Sequence, residues 1–211
     1  MDLELSQELL ELQGEDRRVR ERLAADGSLF DGYNAEMERV HRRNAARLRE
    51  LVADHGWPDR ALVTDDAAGA AWTILQHSIG EPEFMRHGLE LLKESAARGQ
   101  TPAVEVAMLE DRIATFEGRP QRYGTQWDWD EQGLLSPLPL AEPERVDELR
   151  AAVGLPPLDV ERARRRAERT NAEQTNAEQT NAERTNEPVP ADASKRRRQA
   201  EAWARSVGWR D

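Results

Sequence analysis

The chain has 211 residues, of which 38% are hydrophobic and 34% charged, and it contains no cysteine. Disulfides, thiolate nucleophiles and cysteine-bound zinc are therefore excluded. Residues 1–160 carry 18 basic and 32 acidic side chains, a net charge of −14, whereas residues 161–211 carry 12 and 9, a net charge of +3. An acidic body of this kind repels nucleic acid and anionic membranes, so neither is an expected partner of residues 1–160.

The N-terminal sequence MDLELSQELLEL has no basic segment followed by a continuous apolar run, so it does not read as a signal peptide. No apolar run approaches the roughly 20 residues that span a bilayer. We therefore expect a soluble, cytoplasmic protein without a membrane span.

Apolar residues at helical spacing and frequent helix stop signals predict an all-α domain of five or six helices. The predicted helix stops are Gly56, Gly99, Gly118 and Gly154. Pro82 is predicted to lie in the first turn of a helix, and Asp65 or Asp66 to cap one. The predicted helices span residues 2–25, 34–54, 66–79, 82–98, 102–117 and 143–153.

The C-terminal part has a different character. The pentapeptide TNAEQ occurs at 170–174 and 175–179, followed by TNAER at 180–184. A five-residue repeat presents no constant helix face and contains no large apolar residue, so residues 161–193 are predicted to be a disordered linker. Residues 194–211 are predicted to form a short basic helix capped by Ser194. This helix either docks on the acidic body or on nothing, or it meets a partner such as an acidic protein face, nucleic acid or a membrane surface. The helical domain itself is assigned to residues 1–160 and is expected to fold without the remainder.

The helix at 66–79 is apolar on most of its circumference, yet it carries Gln76 and His77. Gln76 shares the face of Trp72, and His77 lies beside small and apolar residues. An unsatisfied buried polar group costs about 1–3 kcal/mol, so both side chains need partners inside the fold. Two interpretations remain open: a core hydrogen-bond network, or a functional site.

Asp111 and Arg112 lie on or beside the apolar flanks of the helix at 102–117. The loop after Gly118, QRYGTQWDWD, then places several polar side chains next to two aromatic ones. Such a loop either lines a binding cleft or staples the core through its amides and hydroxyls. In an extended segment Trp127 and Trp129 share one side, and we expect both to flank a pocket mouth rather than fill the core.

Known catalytic motifs are absent from the sequence. The histidines at 41, 55, 77 and 87 show no HExxH or other paired metal spacing, so no metal ligand is predicted. No GxSxG, P-loop or GxGxxG occurs, and the sequence identifies no cofactor.

Six short motifs stand in order along the chain: HGWP (55–58), AAWTILQH (70–77), EDR (110–112), GRPQRYGTQ (118–126), VDELR (146–150) and GLPPL (154–158). In this register they resemble the bacterial proteins grouped as domain-of-unknown-function family 6624, over roughly residues 35–160. The resemblance implies no activity. It implies that the important positions of these motifs are Trp57, Trp72, Gln76, His77, Asp111, Arg112, Gln121, Tyr123, Gly124, Thr125 and Gln126. It also implies an acid shortly after the QH pair, where this chain has Ser78 and Ile79.

Two classes of function follow. The first is a polar pocket that binds, and in the enzymatic version transforms, a small molecule. His77 would be its acid or base, Asp111 would orient His77, and Arg112 would hold an anionic group. The further predicted ligand contacts are Trp72, Gln76, Gln121, Tyr123, Thr125 and Gln126. The second class is a helical protein-interaction module whose polar cluster is structural. Both require that His77, Asp111 and the 121–126 loop converge.

Overall fold

A computed structural model describes residues 1–30, 32–178 and 192–211 of the chain. Within these ranges the protein is mostly helical, which confirms the predicted all-α class. The eight helices are α1 (Leu3–Ala25), α2 (Ala35–His55), α3 (Asp65–His77), α4 (Pro82–Ala97), α5 (Ala103–Phe116), α6 (Val146–Ala152), α7 (Leu158–Glu178) and α8 (Ala193–Ser206). Two short strands, β1 (Trp127–Trp129) and β2 (Leu135–Pro137), form an antiparallel hairpin. No helix in these ranges combines the length and apolarity needed to cross a membrane.

The helix ends follow the predicted stop signals closely. α2 ends before Gly56 and α5 ends shortly before Gly118, whose φ angles of 79° and 74° lie in the left-handed region that favours glycine. Pro82 occupies the first turn of α4 as predicted.

Both capping predictions were wrong. Thr64, rather than either following aspartate, caps α3, and its hydroxyl accepts a hydrogen bond from the Ala67 N–H at 3.3 Å. Asp192, rather than Ser194, caps α8 and accepts from the Lys195 N–H at 2.7 Å. Asp65, Asp66 and Ser194 lie inside the first turns of these helices, whereas a capping residue precedes the first helical residue.

The chain divides into two compact units, and unit 1 comprises Met1–Arg20 and Ala35–Leu109. Its core is built from apolar side chains of α1 to α4; Leu9, Leu48 and Leu75 have no exposed surface. α3 and α4 approach closely at Gly88, which has no side chain. A Cβ added there would lie 2.6 Å from the Leu75 methyl carbons.

A buried carboxylate fixes the loop between α2 and α3 to the end of α4 in unit 1. Asp59 is only 5% exposed and accepts hydrogen bonds from the Ser95 hydroxyl at 2.8 Å and the Arg98 guanidinium at 3.1 Å. Burial by itself raises the pKa of Asp59, but these bonds outweigh it and hold the pKa below its usual value.

Unit 2 comprises Glu21–Asn34 and Glu110–Asp211. In its hairpin Trp129 pairs with Leu135 and is 5% exposed, so the expectation that both hairpin tryptophans flank a pocket mouth was wrong for Trp129. Trp127 is half-buried, with the Arg165 guanidinium carbon 4.9 Å from its ring centroid. The strand pairing places the two indoles on one side, as expected, but that side is partly core.

The C-terminal segment packs on unit 2 through aromatic contacts. The Phe116 ring stacks on Trp209 with centroids 5.1 Å apart, and it lies 5.7 Å from the Trp203 ring. Tyr33 meets Trp203 edge to face at 5.4 Å. Trp209 is 2% exposed. Of the placements that the sequence left open, residues 194–211 adopt docking on their own chain, and a protein partner for them stays a prediction.

α7 continues through Glu178, beyond residue 161 where the linker was predicted to begin. Its first turns are supported by Glu161, which is paired with Arg164 and Arg165 at 2.6 Å each. Ala, Glu, Gln and Arg in this region are good helix formers and favour the helical conformation. The predicted linker residues 179–191 lie outside the described ranges.

Candidate functional site

Three titratable side chains meet in the core of unit 1. Asp16 comes from α1, His41 from α2 and His77 from α3, and one donor atom from each lies within 4.8 Å of the others. Asp16 Oδ2 is 2.8 Å from His77 Nδ1 and 3.2 Å from His41 Nε2. The two imidazole centroids are 5.0 Å apart. We call these three residues the Asp–His–His cluster.

The helical repeat explains why the three residues face inward. Asp16 stands seven residues after Leu9, and His41 stands seven residues before Leu48. His77, at the end of α3, stands seven residues after the buried Ala70. Seven residues are close to two full turns, so each polar member lies on the apolar stripe of its own helix.

The cluster is buried at its carboxylate and open at one imidazole. The side chains of Asp16 and His41 are 5% and 9% exposed, whereas that of His77 is 26% exposed. Burial by itself raises the pKa of Asp16, but the hydrogen bonds and charges of the two histidines hold the pKa well below its usual value. The carboxyl is therefore ionised at neutral pH. A carboxylate that holds an imidazole can orient it for proton transfer, and the same donor atoms can also bind a cation.

Hydrogen bonds hold α1 against α2 and α3 about one turn before Asp16. The Asn44 amide of α2 donates to the Leu12 carbonyl at 3.0 Å. The Gln13 amide donates to the Thr73 hydroxyl of α3 at 3.1 Å. Asn44 is 1% exposed, so this polar contact is part of the core. The backbone of α1 near Asp16 is thus held by both partner helices.

A groove of about 480 Å³ opens on unit 1, one helical turn from the cluster. It is bounded by side chains of α1, α3 and the start of α5, namely Leu10, Gln13, Asp65, Asp66, Gly69, Trp72, Thr73 and Glu105. The indole N–H of Trp72 donates to the Glu105 carbonyl at 3.2 Å, which fixes the ring. Burial raises the pKa of the Glu105 carboxyl, while the nearby Arg60 opposes this shift. The wall therefore combines an aromatic ring with carboxylates.

In unit 2 the loop after α5 folds around a single buried carboxylate. Asp111 has no exposed surface, and its Oδ1 accepts from the Arg122 N–H at 2.7 Å and the Tyr123 N–H at 3.0 Å. Its Oδ2 accepts from the Thr125 N–H and from the Thr125 hydroxyl, both at 2.9 Å. The acceptor sites of the carboxylate are thus used within the chain.

Two further buried side chains complete this loop. Gln121 has no exposed surface; its amide donates to the Gln126 carbonyl at 2.8 Å and the Leu138 carbonyl at 2.9 Å. Arg150 is 1% exposed and donates to the carbonyls of Tyr123 and Pro156, both at 2.6 Å. Burial lowers the pKa of Arg150, which nearby carboxylates partly offset. The loop conformation therefore depends on buried charged groups.

The predicted site residues divide between the two units. Unit 1 holds Trp72 and His77 together with the buried Gln76, while unit 2 holds Asp111, the half-buried Arg112 and the 121–126 loop. The structure brings Asp111 together with that loop. It gives His77 a carboxylate partner, Asp16, in the role predicted for Asp111. The predicted convergence of His77 with Asp111 joins the two units and stays a prediction.

Sequence reasoning missed Asp16 and His41. The apolar stripe of α1 was identified through Leu9 and Val19, and the interruption by an acid between them was the available signal. His41 was judged by short motif spacing, which does not detect a cluster assembled from three separate helices.

The fold defines a mostly helical protein with a small hairpin and a buried Asp–His–His cluster. A family model described as "Family of unknown function (DUF6624)" matches residues 3–169. The chain belongs to this family, and the match extends beyond the resemblance at 35–160 to include α1 and Asp16. A search of curated proteins and of solved structures found no match to this chain.

Proposed function

We propose that this protein binds a small organic cation, such as an amine or a quaternary ammonium compound, in the groove of unit 1. The observation that carries the proposal is the composition of the groove wall, where the Trp72 indole lies among the carboxylates of Asp65, Asp66 and Glu105. A cation over an aromatic face gains about 0.5–2 kcal/mol, more when water is excluded.

Charge supports the same class of ligand. Residues 1–160 carry a net charge of −14, which concentrates cations near the surface. The groove lining contains three carboxylates and no basic side chain. The Arg60 guanidinium lies 3.7 Å from Asp65 and offsets only part of this negative charge. The volume of about 480 Å³ lies in the range of small-molecule pockets.

Trp72 remains a ligand contact in this proposal, whereas the predicted ligand contacts of unit 2 do not. Asp111, Gln121 and the loop they hold use their hydrogen-bonding capacity inside unit 2, which favours a structural role for them. For the enzymatic version of the hypothesis, the acid or base is His77 with Asp16 as its partner, since this pair lies one turn along α3 from the groove residue Thr73.

Gly69 offers a direct test. A Cβ added there meets no atom within 4 Å, so Gly69→Leu fills the groove without a steric clash at Cβ. Replacing a helix-interior glycine also favours folding, by about 1 kcal/mol for alanine. We expect the purified chain to bind choline, agmatine or spermidine by calorimetry, and Gly69→Leu to weaken that binding at least about tenfold while its melting temperature is unchanged or raised.

Two controls separate charge from shape. The uncharged carbon isostere of choline is expected to bind more weakly than choline. Glu105→Gln in the groove is expected to weaken cation binding, whereas Glu83→Gln on the exposed side of α4 leaves it unchanged. Equal affinity of the wild-type protein and Gly69→Leu for all three cations, or no binding of any of them, would contradict the proposal.

A further inference from the structure

The strongest feature that the groove does not explain is the Asp–His–His cluster. Three helices each place a polar titratable side chain on an apolar stripe, and these side chains meet at one point. Burial of such groups is costly unless they are paired. A hydrogen-bond network satisfies them, and so does a shared cation.

From this geometry we propose that Asp16, His41 and His77 form a binding site for a divalent first-row transition metal ion. Two imidazole nitrogens and one carboxylate oxygen are the donor set of many zinc and non-haem iron(II) sites. Magnesium and calcium prefer oxygen ligands alone, so this set selects against them. The site goes beyond the proposed groove function and does not depend on it.

The distances suit a shared ion. Metal–ligand bonds of about 2.0–2.2 Å place the donors of a tetrahedral zinc ion about 3.4 Å apart. Oδ2 of Asp16 lies 2.8 Å from His77 Nδ1 and 3.2 Å from His41 Nε2. Both separations are within about 0.6 Å of that value, and the donor atoms of all three residues lie within 4.8 Å of one another, so side-chain rotation can bring them around one ion.

The surroundings fix two donors and leave one side open. Asp16 and His41 are almost fully buried, and the contacts of Asn44 and Gln13 hold α1 against α2 and α3 near them. His77, at the last residue of α3, is the more exposed member. Three protein donors leave at least one coordination position of a bound metal for water or another ligand, and the exposed side of His77 is where solvent reaches it.

Direct metal titration tests the site. The probes are Zn²⁺ and Co²⁺ alone, added to the chelator-treated full chain produced without a histidine tag. We expect one ion per chain by calorimetry and visible ligand-field bands with Co²⁺, while Mg²⁺ at the same concentration binds at least about 100-fold more weakly.

The chain supplies a matched pair of variants. His77→Gln removes one donor, and loss of even an outer-shell partner costs about 10–100-fold in metal affinity, so we expect a loss of at least about 100-fold. His87→Gln removes an exposed histidine of α4 and is expected to leave metal affinity unchanged. Gly69→Leu in the groove is also expected to leave it unchanged, which distinguishes failure of this site from failure of the groove proposal.

Three results would overturn the proposal: no stoichiometric binding of Zn²⁺ or Co²⁺, wild-type affinity in His77→Gln, or equal affinity for Mg²⁺. The first of these would assign the cluster to a metal-free hydrogen-bond network. Should His77→Gln fail to fold, X-ray absorption of the zinc-loaded wild-type protein decides the question. Two imidazole ligands are expected, and a coordination shell without imidazole overturns the site.

Discussion

The Tyr123 backbone N–H is shared between both oxygens of the Asp111 carboxylate, at 3.0 Å from Oδ1 and 3.1 Å from Oδ2. The amides of Arg122 and Thr125 on either side bind the same carboxylate. A segment without regular secondary structure is thereby organised by one side chain from the preceding helix. We therefore expect the Asp111 carboxylate to make a large contribution to the stability of the loop.

We expect Asp111→Asn to lower the free energy of unfolding by about 3 kcal/mol. The NH2 group of asparagine would replace one carboxylate oxygen, and it cannot accept hydrogen bonds from the buried N–H groups. Urea unfolding followed by circular dichroism measures the loss. Asp159→Asn is the control, since the Asp159 side chain is 88% exposed and its pair with Arg162 is expected to contribute under about 1 kcal/mol. Similar values for the two variants would argue against a structural role for Asp111.

Gln121 and Gln126 form a second matched pair. Gln121→Ala removes hydrogen bonds from buried backbone groups and is expected to cost about 2–4 kcal/mol. Gln126 is held mainly through its backbone, and its side-chain amide contacts the Thr125 hydroxyl at 3.1 Å, so Gln126→Ala is expected to cost under about 1 kcal/mol. Chemical denaturation of both variants checks the order. A larger loss for Gln126→Ala would show that its side chain does more than these contacts indicate.

We expect docking of the C-terminal segment to contribute measurably to the free energy of unfolding. Trp209→Ala leaves a void beside Phe116, and truncating a buried tryptophan typically costs about 3–5 kcal/mol. Thermal and urea unfolding of the full chain measure the effect, with Arg198→Ala at an exposed position of α8 as the control. Residues 1–160 are still predicted to fold alone, but at lower stability than the full chain. Equal stability of Trp209→Ala and the wild-type protein would mean that the aromatic stack contributes little.

Asp59 makes stability depend on pH in a defined direction. Its pKa is lowered in the folded state, so its contribution is present above the unfolded value of about 3.9 and is lost as the pH falls through the folded-state value. We expect Asp59→Asn to be less stable than the wild-type protein at pH 7. The difference is expected to shrink as the pH falls below about 4.

Urea unfolding at a series of pH values checks this behaviour. Asp54→Asn, an exposed site near the end of α2, is the control and is expected to show no such convergence. A stability difference between Asp59→Asn and the wild-type protein that stays constant from neutral to acidic pH would contradict the assignment.

The sequence predicted what depends on local spacing. Helix ends at Gly56 and Gly118 follow from backbone chemistry, and the contacts of Asp111 with loop residues eleven to fourteen positions later follow from chain proximity. The need of His77 for a buried partner was also predictable, because α3 is apolar over most of its circumference.

The identity of that partner was not predictable. Asp16 lies 61 residues before His77, and a helical wheel does not specify which faces of α1, α2 and α3 pair. The predictions of the α3 cap and of an exposed Trp129 were wrong for a related reason. Several side chains in a short stretch could serve each role, and tertiary packing selects one.

The hydrogen bonds of the 121–126 loop also bear on how its amides exchange with solvent deuterium. The amides of Tyr123 and Thr125 point at a carboxylate with no exposed surface, and that of Gln126 points at the buried oxygen of Gln121. Exchange of such amides requires a local opening that also strips Asp111 of its donors. This irregular loop is therefore expected to retain its protons about as long as the helices around it, whereas exposed turns such as the one at Gln132 exchange early.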